Sequence, residues 1–280
     1  MEKVKYFGSG TILHLHKYMK APTMHLRHAA LLLPLMSLLS TTAHAEPVKK
    51  DGQWRGLAGA SLSISSGNTD SASLLANVNM ARQVVGSKTT LQGYINQARS
   101  KVDGDKTTTA NKWGASGQQD IDLTPQWYGF GKLGIDADRL IELKHRTSVA
   151  AGLGYHLIQT DAHTWDVFSG VNHTRSVYRE VQTIGDTTGT RFSNTGLLIG
   201  EESSHQLNDT VSLKQRLEYT QAVTGDKLNL MRFNGSLNVA MTKATSLSVG
   251  LISTYNSKVP PGVKKVDTTL FTGLNVKLGQ

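Results

Sequence analysis

VDTTLFTGLNVKL, residues 266–278, changes character at every step. Val266, Thr268, Leu270, Thr272, Leu274, Val276 and Leu278 share one parity, and Asp267, Thr269, Phe271, Gly273, Asn275 and Lys277 share the other. Successive side chains of a β-strand point to opposite faces, so one face of this strand suits hydrocarbon and the other suits water.

The same pattern spreads outward from this end of the chain. Val211, Leu213, Leu217 and Tyr219 alternate with Ser212, Lys214, Arg216 and Glu218. Trp127, Gly129, Gly131, Leu133, Ile135 and Ala137 alternate with Tyr128, Phe130, Lys132, Gly134, Asp136 and Asp138, and Thr147 to Leu157 behaves likewise. Near the start, Ala72, Leu74, Ala76, Val78 and Met80 face away from Ser71, Ser73, Asn77 and Asn79. Segments of this kind begin near Trp54, Ser71, Lys88, Thr109, Gln126, Arg146, Thr164, Arg191, Asp209, Lys227, Ser246 and Val266. Each is read as roughly 10–14 residues, enough to cross a bilayer at a tilt. Every second connection is short (VVGS, LTP, QTDAH, SSHQLN, TKAT), whereas several others are longer and polar (SKVDGDKTTT, RLIELKH, REVQTIGDTTGT, NSKVPPGVKK). A soluble β-sandwich, the main architectural rival, has no reason to sort loops by parity. The expected fold is all-β: an antiparallel up-and-down transmembrane β-barrel of about twelve strands in the cell outer membrane. The short turns are assigned to the periplasm, with Trp54, Trp127 and Trp165 forming an interfacial girdle there.

Composition agrees with this reading and excludes others. The chain has 280 residues, 38% of them hydrophobic, and a mean hydropathy of −0.28, too polar for a bundle of membrane helices. Cysteine is absent, so no disulfide holds the fold. The formal charge is +9. Lys3, Lys5, Lys17, Lys20 and Arg27 against Glu2 supply part of it, and the rest is dispersed, so no nucleic-acid partner is expected. Residues 24–45 read MHLRHAALLLPLMSLLSTTAHA, with a basic start, a short apolar run and a small-x-small site at Ala43-His44-Ala45. Residues 1–45 are therefore expected to be a signal peptide, 1–23 to be an extension ahead of the true start at Met19 or Met24, and 46–280 to be the barrel. Phe271-x-Gly273-x-x-Val276-x-Leu278 fits the signal used by barrel-insertion machinery, an expected partner beside outer-membrane lipid.

The polar parity carries the candidate site. Lys112, Lys132, Arg146, Lys214, Arg216 and Arg232 fall on it, together with Asp120, Asp136, Asp138, Asp166 and Glu218. In a wet lumen such charges bias the passage of small solutes or ions, and the slight excess of base favours anions. In a dry lumen they pair as struts. His145, His156, His163, His173 and His205 are scattered without metal-ligand spacing, and no cofactor is expected. Asp103-Gly104-Asp105 reads as a turn, as does Ser66-Gly67-Asn68-Thr69-Asp70. The barrel is read as having no enzymatic activity. The alternative is a lipid hydrolase using His173, with Ser169 or Ser176 on the same strand, while His205 follows Ser203-Ser204.

Trp54-x-Gly56-x-x-Gly59, the SGNTD turn and Gly152-Leu153-Gly154-Tyr155 resemble the salt-induced outer-membrane protein family, a domain of unknown function. That resemblance implies a porin-like barrel of the Gram-negative envelope, connected with salt stress, with no established biochemical activity and no family catalytic residues to carry over. Three functional readings follow. The first is a narrow passive channel or an envelope protein for osmotic stress; the second is a closed structural or adhesion barrel; the third is the hydrolase.

Overall fold

A computed structural model describes residues 50–65, 69–102, 105–261 and 263–279. The signal peptide expected over 1–45, Ser66 to Asn68 of the SGNTD turn, and Asp103-Gly104 lie outside the described residues. Twelve strands run in chain order: β1 Trp54–Ser65, β2 Thr69–Val84, β3 Ser87–Val102, β4 Asp105–Asp122, β5 Trp127–Asp138, β6 Leu143–Gln159, β7 His163–Ile184, β8 Thr187–Gln206, β9 Val211–Gly225, β10 Leu230–Ala240, β11 Thr245–Asn256 and β12 Val266–Leu278. Each pairs antiparallel with its chain neighbours, and β1 meets β12 through five register pairs, from Gly56↔Leu278 to Ala60↔Leu274, to close the ring. Closure satisfies the backbone groups that an open sheet edge would expose to lipid.

The strands begin within four residues of the positions expected from alternation, but several are longer. β7 has 22 residues and β8 has 20. The Thr-rich stretches read as long polar loops are continued strand instead: KTTT belongs to β4, and most of REVQTIGDTTGT to the β7–β8 hairpin. Threonine favours extended backbone, and a strand that has left hydrocarbon no longer needs an apolar parity, so the signal used to bound it fades. That hairpin turns tightly between Ile184 and Thr187, where Gly185 adopts a φ of +62° that favours glycine. Of the connections read as long, the one over residues 257–265 keeps its length.

The alternation resolves into outside and inside. Leu133, Val149, Leu153, Val171, Leu197, Leu237, Val249 and Leu274 all point out, with Leu270 77% and Leu133 63% exposed. Apolar surface this extensive in water would drive aggregation, whereas against acyl chains it is the favourable exterior. At the rim where β1 begins, exposed Trp127 packs edge-on to Tyr155 with ring centres 5.0 Å apart.

Inside, large aromatic rings sit opposite glycines on the neighbouring strand. Tyr94 faces Gly114, Tyr128 faces Gly154, Phe130 faces Gly152, Phe168 faces Gly200, and Phe271 faces Gly250. At Gly154 an added Cβ would lie 2.1 Å from Tyr128 Cζ, so the ring lies flat on the glycine backbone. The pairing fills a narrow barrel with rings while keeping its wall thin. Tyr128, Phe130, Ala150, Phe168 and Leu198 form one buried apolar patch on that inner wall.

Candidate functional site

The lumen is polar and crossed by side chains at several levels. Alternation along β9 turns Lys214, Arg216 and Glu218 inward, and along β5 it turns Lys132 and Asp136 inward. Arg216 Nε and Nη2 donate to Glu218 Oε1 at 2.9 and 2.6 Å, Nη1 to Glu202, and Nη2 to Gln118 Oε1 at 2.8 Å. Lys132 Nζ donates to the same Glu218 oxygen at 2.5 Å, and Lys88 approaches Glu202 at 3.7 Å. The guanidinium of Arg216 also lies 4.9 Å over the Phe168 ring. In a ring of twelve strands β4 and β9 stand five places apart. The Gln118–Arg216 and Lys132–Glu218 bonds are therefore chords across the lumen and do not follow the wall. Among Thr90, Gln92, Ser116, Gln118, Lys132 and Arg216 about 10 Å³ of free space remains, room for about one water.

Other levels repeat the design. Arg232 on β10 bonds Asp136 on β5. Arg146 on β6, only 6% exposed, donates to Ser176 Oγ at 3.0 Å and reaches Asn256 Oδ1 on β11 at 3.5 Å. Lys112 on β4 bonds Asp267 on β12. All of these pairs join strands that are not neighbours, except Arg146 with Ser176. Lys214 lies one inward position from Arg216, opposite Ser204.

At the far rim the β7–β8 hairpin packs against the ends of its neighbours. Ile184, near the tip of the β7–β8 hairpin, is buried with Leu143, Tyr178 and Phe192, and Ile141 packs against them. At Gly185 an added Cβ would lie 2.8 Å from Lys258 Nζ, and that ammonium donates to the Asp226 carbonyl at 3.2 Å. The β7–β8 turn thus lies against Lys258, which in turn bonds the segment that follows β9. Among the described residues no group of three or more His, Cys, Asp or Glu is placed to hold a metal ion.

The structure brings Lys132, Arg216 and Glu218 into one cluster and Asp136 with Arg232 into another; Lys112 and Arg146 occupy separate levels. Asp138 instead caps a turn by accepting the Leu140 amide at 3.0 Å. Sequence reading put Asp267 on the water-facing parity without making it a candidate, and it missed Glu202, Lys88 and Gln118. Glu202 stands in GEESS and Gln118 in SGQQD, where both parities are polar and alternation carries no sign. Because Arg216, Lys132 and Arg232 are compensated by acids, the excess of base counted along the sequence is not the charge met inside.

The family described as "Protein of unknown function, DUF481" matches residues 58–278. The chain belongs to this family. Among curated proteins, none matches it significantly. Solved structures similar to the chain include an outer membrane channel from Pseudomonas putida F1, 11% identical, covering 86% of this chain and 100% of that one with a TM-score of 0.45. The NanC porin is 8% identical over 81% of this chain and 98% of its own, with a TM-score of 0.43. The translocator domain of the autotransporter NalP from Neisseria meningitidis is 12% identical over 82% and 87%, with a TM-score of 0.40. Likeness at this level is one of general architecture. The closed ring, the apolar exterior and the polar interior make the protein an outer-membrane β-barrel of a family whose activity is not established.

Proposed function

We propose that this barrel is a narrow passive channel for small ions or solutes, nearly shut at rest, that serves the envelope under osmotic or salt stress. The observation carrying this reading is the set of charged chords across the lumen, Lys132–Glu218, Lys88–Glu202, Arg232–Asp136 and Lys112–Asp267, with Arg216 joining Glu218 to Glu202 at their centre. A barrel that only had to be filled would do as well with apolar side chains, because buried ion pairs add little stability over hydrophobic packing. Ion pairs do have one property that apolar packing lacks. Salt screens them where water reaches, over about 10 Å at 0.1 M and about 3 Å at 1 M. Rising ionic strength then weakens first the chords that water reaches, such as Lys112–Asp267, and water entering there works inward toward tighter pairs such as Lys132–Glu218. The link to salt stress rests on the family resemblance and on this screening.

Planar-bilayer recording of the refolded protein tests the reading. The wild type is expected to show small unitary steps whose conductance rises more steeply than bulk conductivity with salt. Replacing residues 180–189 with an Asn-Gly turn removes Ile184 and Gly185 from the mouth and is expected to raise the unitary conductance about twofold, the effect of losing one of two similar constrictions in series. If both proteins are folded and silent from low to high salt, the barrel is a closed structural or adhesion protein.

A further inference from the structure

The outer surface carries a polar cluster that a lipid-facing wall has no use for. His173 on β7 and Ser193 and Thr195 on β8 face out, on the same surface as Val171 and Leu197. Thr195 stands directly opposite His173 in the ladder, and Ser193 is its diagonal neighbour. His173 Nδ1 lies 2.9 Å from Thr195 Oγ1, and its Nε2 lies 3.4 Å from Ser193 Oγ. An imidazole held by one hydroxyl and aimed at a second is the arrangement that activates a serine. The 3.4 Å separation is the slightly loose contact common before substrate binds. Ser193 is also fixed from behind: its amide donates to Asp226 Oδ2 at 2.7 Å, and its carbonyl accepts the Asp226 amide at 3.1 Å. Arg175 pairs directly across from Ser193 and Arg191 follows opposite Val177, both exposed, so positive charge borders the hydroxyl on the side toward the hairpin tip.

We propose that Ser193, His173 and Thr195 form an esterase site that hydrolyses acyl esters of phosphorylated membrane lipids from within the bilayer. Ser193 Oγ attacks the ester carbonyl while its proton passes to His173 Nε2. The bond to the glycerol or sugar oxygen breaks, and that oxygen takes the proton from His173. Water then attacks the acyl-serine, giving its proton to His173. The fatty acid leaves and Ser193 Oγ recovers the proton. Thr195 is the positioning residue that holds the imidazole, and Arg175 supplies charge for the developing oxyanion and the lipid phosphate. Sequence proximity had suggested Ser169 or Ser176 for His173. Ser169 is four residues away along an extended strand, about 13 Å, and Ser176 faces inward onto Arg146. The partner lies twenty residues on, across the hairpin.

The full chain, folded in detergent, would be mixed with phosphatidylglycerol micelles or with lipid A, and fatty-acid release followed together with labelling by a fluorophosphonate probe. Expected are release from at least one of the two lipids, probe adduct on Ser193, and a loss of about 100-fold or more in Ser193→Ala and His173→Ala. Thr195→Val should lose about tenfold and shift the pH–rate profile, since it changes how the imidazole is held. All three variants should keep the heat-modifiable gel mobility and channel steps of the wild type. Which lipid reacts identifies the source of the ester. A folded wild type that neither releases fatty acid nor takes the probe overturns the proposal, as does hydrolysis that survives Ser193→Ala. Neither result bears on conductance.

Discussion

Arg216→Glu should convert the lumen into a cation-selective pore. In the wild type this one guanidinium bonds Glu218, Glu202 and Gln118. Reversing its charge leaves three carboxylates around the centre, answered by Lys132 and Lys88. Two like charges about 4 Å apart repel by about 4 kcal/mol at an effective dielectric of about 20, so the acids must separate and hydrate. The chord from β9 to Gln118 is lost at the same time, and the space of about 10 Å³ beside it widens. Both changes favour passage of cations. A difference of about 1.4 kcal/mol between cation and anion barriers is a factor of about ten in permeability. The reversal potential under a salt gradient reads this directly, and an unchanged value in a conducting variant would remove Arg216 from the selectivity-determining position.

The second large effect concerns the wall. Gly154→Val should prevent the barrel from forming a compact, heat-modifiable species, while Gly131→Val should leave it intact. At Gly154 the new side chain meets Tyr128 Cζ at 2.1 Å and Cε1 at 2.4 Å. Tyr128 cannot simply move aside, because it is packed in the buried patch with Phe130 and Phe168 and stacks 4.8 Å from His156. Overpacking of this kind costs about 3 kcal/mol and rises when several rings must shift. At Gly131 an added Cβ meets nothing within 4 Å, and the residue faces out. Valine there gains the strand preference that glycine lacks. Band mobility of unheated and boiled samples, with denaturant midpoints, separates the two outcomes. Equal behaviour would show that the ring-on-glycine pairs do not hold the wall.

Why the fold was legible and the site only partly so follows from which information is local. Val266 to Leu278 declare their faces by alternation alone, and every strand through hydrocarbon must do the same. Arg216 and Glu218 could be assigned to the interior in this way. Their partners could not, because a chord between β5 and β9 exists only after the ring has closed, and alternation says nothing about which inward side chains stand at equal height. Glu202 and Gln118 were hidden further by polar neighbours of both parities. The β7–β8 hairpin was misread as loop because strand that rises into water no longer needs one oily face. The surroundings of His173 were hidden for another reason: the hydroxyls nearest it in space, on Thr195 and Ser193, are on the returning strand, whereas proximity along the chain pointed to Ser169 and Ser176.

Ring closure through only five residue pairs among the described residues gives this molecule a natural seam. Other neighbouring strands are zipped along ten or more pairs, so the first and last strands share the shortest joint of the wall. The joint between β1 and β12 is where a sideways opening toward the bilayer would begin. Deuterium uptake at the amides of Gly56 to Ala60 should therefore outrun uptake in the centre of β7, with the difference set by how often that seam breathes.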